Sequence, residues 1–121
     1  MHVAITGATG LIGTPLVAHL RSSGHTVTRI VRKTAAAGDR VWDPTAASLD
    51  ASLLDGVDAV IHLAGAGIGD HRWTDAYKNE IRSSRVHSTE LLARAIAASS
   101  DGPKVLLSGS AIGIYGDRGD E

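Results

Sequence analysis

An α/β fold built around a parallel sheet is predicted for this 121-residue chain by three observations. Short β-branched or apolar runs alternate with segments of helical period, and the links between runs are long enough for crossovers. A Gly-x-x-Gly-x-x-Gly run also joins the first apolar run directly to the first helical one. The length suits one domain over residues 1–121 with a core on both faces of a small sheet. Fourteen Gly and no Phe favour close helix-to-sheet approach over aromatic layers.

The elements follow in order. Residues 2–6 (HVAIT) form a first strand that runs into Gly7. Leu11, Ile12, Leu16, Val17 and Leu20 then recur at helical spacing, with Pro15 tolerated near the first turn and Gly24 placed to stop the helix. Residues 26–31 (TVTRIV) make a second strand ending at Arg32-Lys33, and residues 40–42 (RVW) a short third one ended by Asp43-Pro44. One helical turn is expected across 49–54. Residues 58–64 (DAVIHLA) have the almost unbroken apolar character of a strand buried on both faces. Thr74 is a natural N-cap for a helix reaching about Ala98, with Tyr77, Ile81, Ser84, Ser88, Leu91, Leu92 and Ala95 along one face. Residues 105–107 (VLL) close the series as a fifth strand. Right-handed crossovers then imply a Rossmann-type sheet of order 3-2-1-4-5 with helices on both faces, and a ligand beyond the strand C-termini where strands 1 and 4 diverge.

Composition narrows the function classes. Twelve Lys plus Arg against thirteen Asp plus Glu leave no basic excess for a nucleic-acid backbone or an anionic membrane surface. The absence of Cys removes disulfides and thiolate metal ligands and fits a reducing, cytoplasmic setting. The opening MHVAITGATG reads as strand and turn, not as a secretory leader, and no apolar run is long enough to span a bilayer. The six His (2, 19, 25, 62, 71, 87) form no helical ligand pair, so no metal site is expected, and His62 reads as a core residue of a buried strand.

The run Gly7-Ala8-Thr9-Gly10-Leu11-Ile12-Gly13 sits where a dinucleotide-binding turn must sit, between a strand and a helix. Gly7 permits the tight turn, Gly10 removes a side chain where backbone meets a pyrophosphate, and Gly13 allows the helix to pack close. Amides at the helix start, near Leu11 and Ile12, offer donors and a positive dipole end. An ATPase-type phosphate loop does not fit, because Thr14 follows Gly13 with no lysine between. NAD-selective sites place an acid at the end of the second strand, whereas this chain places Arg32 and Lys33 there, which favours the 2′-phosphate of NADP over NAD. The alternative is that both are ordinary solvated charges. Arg72 and Trp73, in the Gly-rich link after the fourth strand, either hold a ring and an anion or anchor that link to the next helix. Ser110 in SGSAI lacks the surroundings of a hydrolase nucleophile elbow.

The segments TGATGLIG, VDAVIHLAGAGIGDHRWTDAYKNEIRSSRV and LLSGSAIGIYGDRGDE together resemble an atypical, epimerase-like branch of the extended short-chain dehydrogenase/reductases, over essentially the whole chain. That branch includes proteins described as nucleoside-diphosphate-sugar epimerases and sometimes labelled cell-division inhibitors. The resemblance implies that Leu63, Ala64 and Gly65 lie along the ribose and nicotinamide side of the cofactor. It further implies that Ser110 hydrogen-bonds the reacting oxygen of the substrate, while Thr9 belongs to the cofactor-binding turn. No Tyr-x-x-x-Lys pair occurs in these 121 residues, since Tyr115 has Gly119 four residues on and Tyr77 has Ile81; ordinary members of the superfamily carry it on a helix beyond this length, and the branch resembled here generally lacks it. Arg85 stands where extended members often carry Asn; it either binds an anionic group or is a helix-surface arginine.

Three functional readings follow. One is an NADP-dependent oxidoreductase or nucleotide-sugar-epimerase-like protein that transfers hydride to or from a carbonyl or hydroxyl of a small-molecule substrate. The second is a non-catalytic NADP-binding or redox-sensing module, and the third a flavin- or other nucleotide-binding domain. Family members continue well beyond this length, so the chain is expected to be the N-terminal portion of a longer protein, lacking the substrate-binding part and leaving its fifth strand near an open edge.

Overall fold

A computed structural model describes residues 1–33, 35–67 and 69–109. Five strands, β1 (His2–Thr6), β2 (Thr26–Val31), β3 (Arg40–Val41), β4 (Ala59–His62) and β5 (Val105–Ser108), form one parallel sheet in the order β3-β2-β1-β4-β5. Helices α1 (Gly13–Ser22) and α2 (Asp75–Ala98) connect it, with a single 3-10 turn at Ala51–Leu54. This is the predicted topology.

Alternation along the central strands separates two cores. Val3, Ile5 and Val27 pack with Ala8 and with Val17 of α1. Ala4, Ile30 and Val60 point the opposite way and pack with Trp42, Leu53, Leu54, Val57 and Leu92 of α2. Helices therefore cover both faces. Each fully buried aliphatic side chain, such as Leu92 or Ile5, contributes about 2 kcal/mol relative to exposure.

Boundaries differ from the predicted ones where hydrogen bonding overrides apolar period. α1 starts at Gly13, not near Leu11, because the Gly10 amide is used in a turn to the Gly7 carbonyl and the helical ladder opens with the Thr14 amide on the Gly10 carbonyl. Leu11 is left 94% exposed. The helix ends as expected at Gly24, whose φ of +89° allows paired bonds from the His25 amide to the Leu20 carbonyl and from the Gly24 amide to the Arg21 carbonyl. Trp42 falls just outside β3, although its amide still donates to the Val31 carbonyl at 2.9 Å, because its ring turns into the core. β4 is shorter than the 58–64 run: the Leu63 amide divides between the Thr6 carbonyl and the Thr6 hydroxyl, each at 3.2 Å, and the Ala64 amide leaves the ladder for that hydroxyl. Thr74 caps α2 as predicted, its hydroxyl accepting the Tyr77 amide at 3.1 Å.

Candidate functional site

The glycine turn lies where β1 hands over to α1, beside the end of β4. Gly7 has a φ of +67°, and a Cβ there would stand 2.7 Å from the Leu63 carbonyl carbon and 2.8 Å from the Ala64 nitrogen. Both facts require glycine. Gly13 is more constrained still, since a Cβ would stand 2.2 Å from the Gly7 oxygen and 2.7 Å from the Ala8 Cα. The expected reason for this glycine, close approach of helix to sheet, is thus refined: what Gly13 touches is the turn itself. Gly10 differs from both. Its nearest obstacle is the Gly7 oxygen at 3.4 Å, so the outer side of the turn is open at this position.

The amides of Leu11, Ile12 and Gly13, which lead from Gly10 into α1, donate to no acceptor among the described residues. Thr9, Leu11 and Ile12 are exposed, and Gly13 is buried. Successive free donors at the start of a helix suit an anion, because the helix dipole adds to their partial charges. Thr9 also borders a cavity of ≈ 280 Å³ on the α1 side, shared with Arg21 and Arg29.

At the end of β2, Arg32 and Lys33 are exposed and have no ion-pair partner among the described residues. The next carboxylate along the chain, Asp39, is already engaged. Arg29 grips it through Nε at 2.9 Å and Nη2 at 2.5 Å, the Ala36 amide donates to it at 2.9 Å, and only 3% of its side chain is exposed. The hydrogen bonds from Arg29 hold the Asp39 carboxyl below the usual carboxylate range. This pair was not visible in the sequence, because it depends on the loop after β2 folding back along its own strand. Its consequence is that Asp39 sets no free negative charge against Arg32 and Lys33.

Leu63, Ala64 and Gly65 form the other wall. The Thr6 hydroxyl accepts the Leu63 amide at 3.2 Å and the Ala64 amide at 3.3 Å. Ser84 of α2 accepts the Ala66 amide at 3.0 Å, and Arg85 lays its guanidinium over Gly65, donating to the carbonyls of Ala66 at 2.9 Å and Ile81 at 3.1 Å. A Cβ at Gly65 would stand 2.8 Å from the Arg85 Cζ. The structure therefore brings Arg85 to the predicted segment, with part of its hydrogen-bonding capacity spent on backbone. His62, expected in the core, is 3% exposed, with Nδ1 2.6 Å from the Thr6 hydroxyl and Nε2 3.0 Å from that of Ser88. The Trp42 ring meets it edge-on at 6.2 Å. Burial, and then the charge of Arg85, push its pKa below the usual imidazole value.

The link after β4 is tied to α2 by the Tyr77 hydroxyl, which donates to the Gly67 carbonyl, and by His71, whose ring lies 4.9 Å from that of Tyr77. Burial, Asp70 and Glu80 push the Tyr77 phenol above its ordinary value. A phenol so engaged is a poor proton acceptor at neutral pH. The Arg72 carbonyl accepts the Thr74 amide at 2.9 Å, tying the link to the start of α2, and Trp73 is 55% exposed. Ser110 and Tyr115 lie outside the described residues. No helix among the described residues is long and apolar enough to cross a membrane.

The chain is 40% identical over 119 residues to an epimerase family protein of Mycobacterium leprae, covering 98% of this chain and 38% of that protein. It therefore spans well under half the length of that relative. Among solved structures, it is similar to a nucleoside-diphosphate sugar epimerase from Corynebacterium glutamicum, with a TM-score of 0.82 and 44% identity, over 100% of this chain and 25% of that one. It is also similar to the human epimerase family protein SDR39U1 crystallised with NADPH, with a TM-score of 0.80 and 35% identity, over 95% and 38% of the two chains. A sequence profile of the NAD dependent epimerase/dehydratase family matches residues 3–121, and the chain belongs to that family.

Proposed function

We propose that this chain is the coenzyme-binding part of an NADP-dependent oxidoreductase or nucleotide-sugar-epimerase-like protein acting in the cytoplasm. The observation that carries this reading is the set of unengaged amides at Leu11, Ile12 and Gly13, leading from Gly10 into α1. These hold the pyrophosphate, and Gly7, Thr9, Gly10 and Gly13 shape the turn around it. Arg32 and Lys33 bind the 2′-phosphate, with Asp39 sequestered by Arg29. Leu63, Ala64 and Gly65 line the ribose and nicotinamide side, and Arg85 holds an anionic group of coenzyme or substrate. Ser110 hydrogen-bonds the reacting carbonyl or hydroxyl oxygen. The coenzyme, when bound, supplies or accepts hydride at its nicotinamide ring.

Support for the substrate class comes from the nucleoside-diphosphate sugar epimerase that this chain resembles, and support for NADP from the NADPH-bound human neighbour together with the basic end of β2. The non-catalytic NADP-binding module stays as a second reading, favoured by one observation: the Tyr77 hydroxyl is occupied with the Gly67 carbonyl and its phenol is pushed above the ordinary value. Side-by-side fluorescence titration with NADPH and NADH, followed by single-turnover assays of the full-length protein on nucleotide sugars and simple carbonyls, separates these readings. Tighter NADPH binding with hydride transfer supports the enzyme; binding without turnover supports the module. No binding of either coenzyme removes both.

A further inference from the structure

Among the described residues, the polar groups beneath the end of β4 form one continuous chain whose direction follows from counting protons. The Thr6 hydroxyl receives the Ala64 amide at 3.3 Å and shares the Leu63 amide with the Thr6 carbonyl, each at 3.2 Å. At the far end the Ser88 hydroxyl gives its proton to the Ser84 carbonyl of α2, so Nε2 of His62, 3.0 Å from that hydroxyl, must donate to it. In the neutral ring Nδ1 is then an acceptor and takes the Thr6 proton at 2.6 Å. Every buried side-chain polar atom here has a partner.

The other proton arrangements break the chain. With hydrogen on Nδ1, as the other tautomer or as imidazolium, the buried Thr6 hydroxyl loses the acceptor of its own proton and meets a third donor; the Leu63 amide can fall back on the Thr6 carbonyl, whereas the Ala64 amide has no other acceptor among the described residues. Those amides belong to the same Leu63–Ala64 backbone that touches Gly7, where there is no room for even a Cβ. Movement of Leu63 and Ala64 therefore moves a wall of the glycine turn. The groups around the ring are Thr6 from β1, Ser108 paired with His62 from β5, the Trp42 edge after β3, and Ser88 and the charged Arg85 from α2. None of these is a carboxylate that would stabilise an imidazolium.

We propose that His62 is a positioning residue which, as the neutral Nε2–H tautomer, sets through Thr6 the stand of the Leu63–Ala64 backbone against the glycine turn, so that coenzyme affinity is coupled to protonation of a residue that never touches the coenzyme. The coenzyme half of this statement rests on the reading under Proposed function; the tautomer half does not.

The test uses the full-length protein and has two independent arms. Two-bond ¹H–¹⁵N correlation spectra should show His62 protonated on Nε2 alone at pH 7, with Ala64 amide exchange, corrected for its intrinsic pH dependence, losing protection as the ring takes up a proton. Titration with NADPH at pH 8 and pH 6 should show Thr6→Val about tenfold weaker than wild type at pH 8, as expected when the Ala64 amide loses its acceptor, and with a flatter pH dependence. Thr6→Ser, which keeps the hydroxyl, should restore both. The titration of the 2′-phosphate is common to all the proteins and cancels in their ratio. A His62 that is cationic or Nδ1-protonated at pH 7 overturns the proposal, as does a folded Thr6→Val with wild-type affinity at both pH values. If Thr6→Val fails to fold, the spectra and amide exchange of wild type decide. Failure of wild type to bind any coenzyme sinks the functional reading instead, and the spectral arm still judges the tautomer.

Discussion

The two faces of the sheet are built differently. Under α1 the contacts among Val3, Ile5, Ala8, Val17 and Val27 are apolar. Under α2 lie the four buried polar residues found among the described residues, with Thr6, His62 and Ser88 wired in series and Thr28 bonded to His2 at 2.6 Å. Apolar packing rewards area and tolerates small slips of one element over another. A directional chain of hydrogen bonds does not, and it runs to the segment that forms one wall of the candidate site. The difference suggests that the α1 face supplies cohesion and the α2 face supplies placement.

The contrast can be broken at graded points. The largest effect is expected for Gly13→Ala, whose new methyl would meet backbone atoms of Gly7 and Ala8 that cannot move aside: a loss of about 3 kcal/mol or more in denaturant unfolding. Gly10→Ala has its nearest obstacle at 3.4 Å, so it should unfold like wild type within about 0.5 kcal/mol yet bind NADPH more weakly. Equal destabilisation by both substitutions would remove the distinction between the inner and outer sides of the turn. Leu92→Ala, at a fully buried site on the α2 face, should cost about 3 kcal/mol, measured in the same way.

Smaller effects sharpen the picture at the coenzyme end and in pH. Arg32→Ala should lower the NADPH-over-NADH preference about tenfold, the range of a charge-assisted bond to phosphate, seen as a ratio of dissociation constants. An unchanged ratio would make Arg32 an ordinary surface charge. Stability should fall in acid in two stages. The lowered pKa of His62 means that the unfolded chain takes up a proton first, so stability declines as pH drops below 6.5, the ordinary imidazole value. The lowered pKa of Asp39 means that its contribution is present above 3.8, its ordinary value, and is lost as pH falls further toward the folded-state value. Phe in place of His62 should abolish the first stage alone. The smallest effect belongs to Glu90→Gln, which breaks an exposed i,i+4 pair with Arg94 and should change stability by under about 0.5 kcal/mol.

Apolar period and turn chemistry made most of the fold legible from residues alone. The strand–glycine–helix sequence, the cap at Thr74 and the buried run of β4 are local signals, and each was found at or within two residues of its place. Parts of the site were legible for the same reason: Gly7, Gly10 and Gly13 mark a backbone path, and that path leaves the amides open. The Arg29–Asp39 pair, the overlay of Arg85 on Gly65 and the proton direction through His62 were not. These join residues on different elements, or a strand to the loop beyond it, and no periodicity encodes such meetings.

By itself the chain determined that it alternates strand and helix around a glycine-rich turn, because steric and hydrophobic preferences act over a few neighbouring residues. Only the tertiary structure decided which of its charges stay available and which hydroxyl orders which amide. Those outcomes depend on distances of about 3 Å between groups that may be fifty residues apart in sequence, as for Thr6 and His62, and only a closed sheet with helices on both faces brings such groups together.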